Sequence, residues 1–205
     1  MAKKSLGFNI VYQTIYQIFL TITPLITTPF VSRMLGAEGV GTYSYTLSMC
    51  KYFMLFALLG ISDYGCRSVA AVRDDREKLS KTFINIFTFQ ALSSFIAIIV
   101  YFLYCYFFVS QDLTVAYLQG MMVISCLFDI SWFFIGLEKI QVTVTRGILI
   151  KLLTMGLTFT LVNKDSGVVA YTIAMAGGTL ISQMALWLCL KSEIDFVKPE
   201  KNEVL

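Results

Sequence analysis

One ionisable residue stands in the middle of an apolar stretch. Lys51 lies about ten residues into the apolar segment 41–62, which at about 1.5 Å per residue places it about 15 Å deep, near the centre of a bilayer. A lysine stem reaches only part of that distance, so the ammonium needs a partner or water. Two interpretations stay open: a carboxylate of the chain neutralises Lys51, or Lys51 faces a water-filled central cavity and pairs with an anionic group of a substrate.

A carboxylate occurs in similar surroundings. Asp129 lies about eight residues before the end of the apolar segment 115–137, about 12 Å from the inner surface at the same rise per residue. On a helix its face is shared with three other residues: Trp132, Phe133 and Gly136. An aspartate that faces acyl chains is strongly disfavoured, so Asp129 must face protein or a cavity. We predict that it gates the inner mouth of the cavity or pairs with Lys51 or Arg146.

The first apolar segment, 8–31, carries a polar stripe. Four polar residues follow one another at intervals of four and therefore lie on one helix face: Asn9, Gln13, Gln17 and Thr21. We predict that this face looks inward, toward water or a partner helix. Pro24 and Pro29 each remove a helix hydrogen bond and are predicted to kink or break the helix in its outer half. A bent helix with a polar face suits the wall of a cavity that changes shape.

Residues for acid/base or nucleophilic catalysis are scarce. The chain has no histidine, which excludes a histidine zinc site and a Ser/His/Asp triad. Its five cysteines show no CxxC spacing and are interpreted as small packing residues. Gly177 and Gly178 lack the strand-turn-helix context of a phosphate-binding loop and are predicted to allow close helix packing. We therefore expect no metal, no cofactor and no enzymatic activity.

Hydropathy predicts the elements that position these residues. Apolar residues make up 57% of the 205 residues, charged residues make up 14%, and the mean hydropathy is +0.74, which is typical of an integral membrane protein. We predict an all-α polytopic bundle of six transmembrane helices, each long enough to cross about 30 Å of hydrocarbon. The segments are 8–31, 41–62, 82–109, 115–137, 142–162 and 168–190.

The fifth of these segments is unusual because Arg146 and Lys151 fall in its first turns. We predict that it begins as an interfacial helix and enters the lipid near Lys151. The long stem of Lys151 then carries its ammonium back to the headgroups.

Basic residues are distributed unevenly between the two sides of the membrane. With the amino terminus inside, the cytoplasmic side holds all but three of the 16 Lys and Arg; the exceptions are Arg33 and Lys164 outside and Lys51 within a helix. This asymmetry predicts that both termini are cytoplasmic. The net charge of +3 reflects this topology and gives no reason to expect a nucleic-acid partner. The mixed charges of the inner connection 63–81 predict a short amphipathic helix along the membrane surface.

Four stretches of the chain resemble one family of transporters. They are "TPFVSRMLGAEGVGTYSY" (28–45), "YFMLFALLGISDYGCR" (52–67), "FDISWFFIGLEK" (128–139) and "TVTRGILIKLL" (143–153). They occur in the order typical of the polysaccharide-type flippases of the multidrug/oligosaccharidyl-lipid/polysaccharide exporter superfamily, which export O-antigen, capsule or exopolysaccharide repeat units. Two stretches depart from the family pattern: Asp63 and Cys66 replace asparagines, and Gly147 replaces the asparagine that commonly follows Arg146.

The resemblance implies a two-lobe bundle of twelve or more helices around a central cationic cavity that opens alternately to each side. It implies that the substrate is an undecaprenyl-diphosphate-linked oligosaccharide, that the membrane is the bacterial cytoplasmic membrane, and that Lys51 or Arg33 attracts the diphosphate. Asn9, Gln13 and Gln17 would line the cavity. Asp129 and Arg146 would be gating or structural charges.

The chain length matches one lobe of such a transporter. Residues 1–190 are predicted to form an amino-terminal six-helix lobe, and residues 191–205 a cytoplasmic tail or the start of a linker to a second lobe. A lone lobe exposes the face that it normally buries. We therefore expect a fragment, a truncated reading frame or half of a homodimer.

Two other classes of protein compete with this interpretation. An organic-cation antiporter of the same superfamily requires negative charge in its cavity, and Asp129 is the acidic residue placed firmly within a predicted helix. Lys51 argues against that alternative. A membrane polymerase or acyltransferase requires acid/base groups gathered at one surface, which outer loops of fewer than about ten residues do not offer. An inactive lobe is the third alternative.

Overall fold

The protein is all-helical. The computed structural model describes the backbone of residues 2–163 and 167–190, and the side chains from residue 11 onward within those ranges. These residues form seven α-helices and no strand, which confirms the all-α prediction. The helices are α1 Ala2–Leu58, α2 Ile61–Val72, α3 Arg76–Phe108, α4 Leu113–Leu127, α5 Ser131–Gly136, α6 Ile140–Leu161 and α7 Gly167–Leu190.

Five helical stretches in the described ranges are long and apolar enough to cross a membrane. They are Val11–Val72, Arg76–Phe108, Leu113–Gly136, Ile140–Leu161 and Gly167–Leu190. The first is 62 residues long and contains the first two segments that hydropathy predicts. The other four correspond to the remaining predicted segments. The chain is therefore a multi-pass membrane protein.

The long helix α1 is interrupted once in its interior, at Gly36. Gly36 has φ 69° and ψ 179°, a backbone conformation that glycine adopts readily and that other residues avoid. We call residues 2–35 the first arm and residues 37–58 the second arm of α1. Pro24 and Pro29 lie within helical backbone of the first arm, so the prediction that they break the helix is wrong. The interruption falls instead where the chain has a residue free to adopt a positive φ.

A short helix, α2, forms part of the connection that the charge pattern marks as amphipathic. It follows a turn at Leu59 and Gly60, which have φ of 39° and 75°. Its buried side includes Ile61, Gly65 and Val69, and its opposite side is exposed. The predicted amphipathic helix is therefore confirmed for α2, and its place along the membrane surface stays a prediction. It packs against α5 and the start of α3.

The segment predicted as one fourth helix is two helices. α4 ends at Leu127 and α5 begins at Ser131, so Asp129 lies in a non-helical connection. The prediction that Asp129 shares a continuous helical face with Trp132, Phe133 and Gly136 is therefore wrong. Irregular backbone at membrane depth is tolerated only where protein groups satisfy its polar atoms.

The helix α6 runs without interruption from Ile140 to Leu161, with Lys151 near its middle. The prediction that its first turns are interfacial and that it enters the lipid near Lys151 stays a prediction, because a continuous helix does not locate the membrane surface. α6 packs against the first arm of α1 and against α7, and α1 also contacts α7. A Cβ on Gly178 of α7 would overlap Thr154 of α6. The predicted role of the glycine pair in close packing is thus confirmed at Gly178.

Two apolar clusters hold the bundle together. The first cluster joins α2, α3, α5 and α7 through buried aromatic and aliphatic side chains, with Phe83, Trp132, Phe133 and Leu186 among the largest. The second cluster joins the second arm of α1 to α3, α4 and α7 through Cys50, Tyr101, Cys105, Val123, Cys126 and Ala176. Large apolar side chains elsewhere point outward, as expected where lipid surrounds the helices.

Candidate functional site

The connection between α4 and α5 is held by one side chain of α3. The Gln90 side chain is fully buried, and its Nε2 donates to the carbonyl oxygens of Cys126 and Asp129, each at 2.8 Å. Its Oε1 accepts from Trp132 Nε1 at 2.9 Å. Unpaired backbone carbonyls at membrane depth cost several kcal/mol each, so Gln90 stabilises the break by donating to the carbonyl of Asp129 and to that of Cys126, which also accepts from the backbone N–H of Asp129 at 3.4 Å.

A third carbonyl in this connection is paired from α7. Trp187 Nε1 donates to the carbonyl oxygen of Phe128 at 3.0 Å. The ring of Phe83 stacks on Trp132 with centroids 5.6 Å apart and meets Phe133 edge-on at 5.0 Å. The break is therefore enclosed by paired polar groups and aromatic packing, which makes it a rigid structural feature.

Asp129 caps the start of α5. Its Oδ1 accepts a hydrogen bond from the backbone N–H of Ser131 at 3.0 Å, as aspartates commonly do at turns. Asp129 forms no ion pair with Lys51 or Arg146, both of which the structure describes, so the predicted pairing is wrong. Its predicted gating role stays a prediction.

Arg146 on α6 makes hydrogen bonds but no ion pair with a described carboxylate. Its Nη1 donates to the carbonyl oxygen of Ser182 at 2.8 Å and to Gln183 Oε1 at 2.7 Å, both on α7. Its Nε is buried and has no hydrogen-bond partner. A guanidinium offers five N–H donors and keeps its charge, so this one has both charge and donor capacity left for an anion.

Arg146 faces a cavity of about 220 Å³ between α1, α5 and α6. The polar residues that line it are Gln13, Tyr16, Ser131 and Thr143. Amide and hydroxyl groups around an arginine form a set of donors that suits an oxyanion such as a phosphate.

The structure also explains why glycine replaces the family's asparagine at position 147, because a Cβ at that position would lie 2.6 Å from Tyr16 Oη. Glycine therefore leaves room for the Tyr16 side chain in its present position beside Arg146.

Lys151 lines a second cavity, of about 120 Å³. The sequence pattern predicts that its ammonium lies at the headgroups. The cavity lies between the first arm of α1, α6 and α7. Its polar lining consists of Thr23, Thr27, Thr28, Lys151, Thr154, Thr158 and Tyr171. Lys151 is half-buried and forms no ion pair with the described part of the chain. The position of this lysine near the middle of an apolar helix is the sequence signal that could have marked it as a candidate site residue.

Lys51 and Arg33 are exposed on the two arms of α1. Neither lines the Arg146 cavity or the Lys151 cavity. No carboxylate in the described ranges pairs with Lys51, so the internal ion pair is not formed there and the role of Lys51 in binding an anion stays a prediction.

The polar stripe of the first arm is exposed where its side chains are described. Gln13, Gln17 and Thr21 all face away from the packed core, and Gln13 lines the Arg146 cavity. The hydroxyl of Thr21 donates to the carbonyl oxygen of Gln17 at 2.9 Å. The side chain of Asn9 lies outside the described residues. The structure therefore brings Gln13 together with Arg146, and leaves Lys51 and Arg33 apart from that cavity.

Comparison with known proteins assigns the family. A family model described as polysaccharide biosynthesis protein matches residues 6–204, nearly the whole chain. The chain belongs to this family. A related protein described as "Putative O-antigen transporter" from Escherichia coli (strain K12) is 25% identical over 190 residues, which cover 88% of the chain and 44% of that relative. The chain thus spans less than half of this relative's length. No solved structure matches the chain.

Membership of the polysaccharide biosynthesis family confirms the resemblance that the four motifs predict. The third and fourth motifs contain Asp129 and Arg146, and in this family member the two residues have different environments. Asp129 satisfies a backbone N–H within a well-packed break. Arg146 keeps a buried N–H without a partner beside a cavity. Arg146 is therefore the better candidate for contact with a ligand.

Proposed function

We propose that this protein takes part in moving undecaprenyl-diphosphate-linked oligosaccharide repeat units across the bacterial cytoplasmic membrane for the synthesis of surface polysaccharide. Residues 1–190 form one lobe of six membrane-spanning helices, with the two arms of α1 as separate spans on either side of Gly36. Residues 191–205 form a cytoplasmic tail or the start of a linker. Both termini are cytoplasmic, in accord with the distribution of basic residues.

The observation that carries this proposal is the guanidinium of Arg146. It lies in a chain of the polysaccharide biosynthesis family, has no carboxylate partner among the described residues, and faces a cavity with polar walls. A diphosphate is the anionic part of the proposed substrate and matches the fork of an arginine well. The lipid tail stays in the bilayer, so the protein has to hold only the diphosphate and the sugars.

The organic-cation antiporter is disfavoured by the same region. Such a site requires a carboxylate in its cavity, and Asp129 lines neither the Arg146 cavity nor the Lys151 cavity. The cavities on α6 contain Arg146 and Lys151 as their charged residues, and a cationic substrate would be repelled there.

The proposed transporter requires a partner for the exposed face of α1. Gln13, Gln17, Thr21 and Lys51 are all exposed, and polar and charged groups are disfavoured against acyl chains. We propose that a second lobe, or a second copy of the chain as a homodimer, faces these residues across a water-filled cavity. The lipid-linked oligosaccharide passes through this cavity, between the lobe described above and its partner.

The experiment that tests the function uses proteoliposomes with the intact chain and a fluorescent polyprenyl-diphosphate oligosaccharide. Translocation is measured as loss of accessibility to a membrane-impermeant quencher, and binding is measured in parallel in nanodiscs. We expect Arg146→Gln to weaken binding at least about tenfold, the loss of one or more charge-assisted hydrogen bonds. Thr160→Val, an exposed position of α6, is the matched control.

Binding without translocation agrees with one lobe that needs its partner. Absence of binding by the wild-type chain, with correct insertion verified by protease protection of both termini, contradicts the proposal. Equal binding by wild type and Arg146→Gln contradicts the role assigned to Arg146.

A further inference from the structure

Five threonines line the Lys151 cavity, and four of them make the same kind of hydrogen bond. Each of four hydroxyls donates its proton to a carbonyl oxygen of its own helix. The pairs are Thr23 to Phe19 at 2.7 Å, Thr27 to Thr23 at 3.0 Å, Thr154 to Lys151 at 3.0 Å and Thr158 to Thr154 at 2.8 Å. The remaining lone pairs of these oxygens are free to accept, so the wall of the cavity is rich in acceptors.

The ammonium of Lys151 supplies the opposite group. It carries three donors and forms no ion pair with a described residue. A ligand that fills the gap must therefore accept from Lys151 and donate to the threonine oxygens. Hydroxyl groups do both. A hydroxylated ligand can therefore pair the ammonium and the threonine oxygens at the same time, and the cavity suits such a ligand.

The size of the cavity limits how much of such a ligand it holds. Its volume of about 120 Å³ equals that of about four water molecules in the liquid. It therefore accommodates the hydroxylated edge of a sugar, which displaces those waters, rather than a chain of sugars.

The cavity is reached from the polar stripe of the first arm. Pro24 and Thr28 line it and are exposed, and they continue the helical spacing of Gln13, Gln17 and Thr21. One exposed face of α1 thus begins at the Arg146 cavity and ends at the Lys151 cavity. The first arm and α6 run in the same direction, since Tyr16 contacts Gly147 and Phe30 packs on Phe159 further along.

We propose that Lys151 is a specificity residue that binds a hydroxyl group of the sugar nearest the diphosphate, while Arg146 binds the diphosphate. This inference rests on the proposed function. Arg146 and Lys151 are five residues apart on α6, an axial distance of about 7.5 Å. A diphosphate at the first therefore brings the adjoining sugar to the level of the second.

The test compares two probes that differ only in the sugar. One is a short-chain polyprenyl diphosphate, and the other is the same lipid with a single N-acetylhexosamine attached. Their dissociation constants are measured with the full chain in nanodiscs. We expect Lys151→Met to weaken binding of the sugar-bearing probe about tenfold, the loss of one charge-assisted hydrogen bond, and to leave the sugar-free probe unchanged. Arg146→Gln weakens binding of both probes.

Two results overturn the inference. Equal weakening of both probes by Lys151→Met shows that Lys151 contacts the diphosphate, and no weakening of either shows that the cavity holds only water. Thermal unfolding of each variant, with Lys151→Gln as a polar replacement and Thr160→Val as control, excludes loss of folding as the cause. If the wild-type chain binds neither probe, the proposed function itself fails; if it binds both and Lys151→Met does not discriminate, only the assignment of Lys151 fails.

Discussion

Two polar side chains lie between helices of this bundle, and they differ in how completely they are paired. Gln90 uses both its amide donor group and its oxygen on three partners within the break between α4 and α5. Arg146 bonds two oxygens of α7 but keeps its buried Nε unpaired and forms no ion pair with a carboxylate in the described part of the chain.

This difference separates a structural polar residue from a candidate binding residue. A fully paired group at membrane depth lowers the energy of one backbone conformation and has nothing left to offer a ligand. A charged group with unused donors is costly to the folded chain, and a ligand that pairs it recovers that cost. Stability and ligand binding should therefore respond in opposite ways when the two residues are changed.

The largest effect on stability is expected for Gln90→Leu. The change leaves the carbonyl oxygen of Asp129 and the indole N–H of Trp132 without these partners, at about 1–3 kcal/mol each, and removes one of the hydrogen bonds to the carbonyl oxygen of Cys126. We expect a fall of at least about 2 kcal/mol in unfolding free energy, measured by thermal unfolding in detergent. Thr88→Val, an exposed position on the same helix, is the control. A Gln90→Leu protein as stable as this control would contradict the structural role assigned to Gln90.

The next effect is expected at Gly147. A Cβ there lies 2.6 Å from Tyr16 Oη and 2.9 Å from Tyr16 Cζ, so Gly147→Ala requires the Tyr16 side chain or the helices α1 and α6 to shift. Overpacking of this kind costs about 1–3 kcal/mol. Tyr16→Leu removes the clashing atoms, and the double variant is expected to recover most of the loss. Additive losses in the double variant would show that the glycine serves some purpose other than making room for Tyr16.

A smaller effect separates the two roles considered for Asp129. Asp129→Ala removes the acceptor of the Ser131 N–H and is expected to cost about 1 kcal/mol, as is typical of lost helix caps. Asp129→Asn keeps a side-chain oxygen and is expected to match wild type in both unfolding and substrate binding. A loss of transport in Asp129→Asn at unchanged stability would instead favour the gating role, which requires the charge.

The smallest effect on stability is expected for Arg146→Leu. The loss of its two hydrogen bonds is offset by removal of a half-buried charge, and replacements of this kind are often close to neutral. We expect a change in unfolding free energy below about 1 kcal/mol, together with loss of polyprenyl-diphosphate binding. A destabilisation as large as that of Gln90→Leu would place Arg146 among the structural residues.

The sequence predicts the membrane-spanning elements well because hydropathy is a local property. Each of the six apolar segments is mostly helical, although the segments 41–62 and 115–137 are each divided by a short non-helical connection, and the first part of the amphipathic connection forms α2. The break at 128–130 was missed for the same reason: Phe128 and Ile130 are as apolar as their neighbours, so no average over a window detects it. The prolines suggested a break in α1, but the backbone changes conformation at Gly36.

The candidate site was predicted only in part. Arg146 and Gln13 were identified from the sequence, because a charge and a row of polar residues are recognisable within apolar segments. Both line one cavity in the structure. The sequence assigns Lys151 to the headgroups because a charge is disfavoured in lipid, whereas in the structure Lys151 lies near the middle of α6 and lines a cavity. Gln90 was missed because its partners are 36 to 42 residues away in the chain.

The amino-acid sequence by itself determined that this is a multi-pass helical membrane protein of the polysaccharide biosynthesis family, because apolar length and motif order are read along the chain. Only the tertiary structure decided which polar residues are satisfied and which are not. That distinction depends on where Gln90, Trp187 and Ser182 lie relative to helix breaks and guanidinium groups far away in sequence. Hydrogen bonds extend only about 3 Å, so their pairing follows from packing rather than from order along the chain.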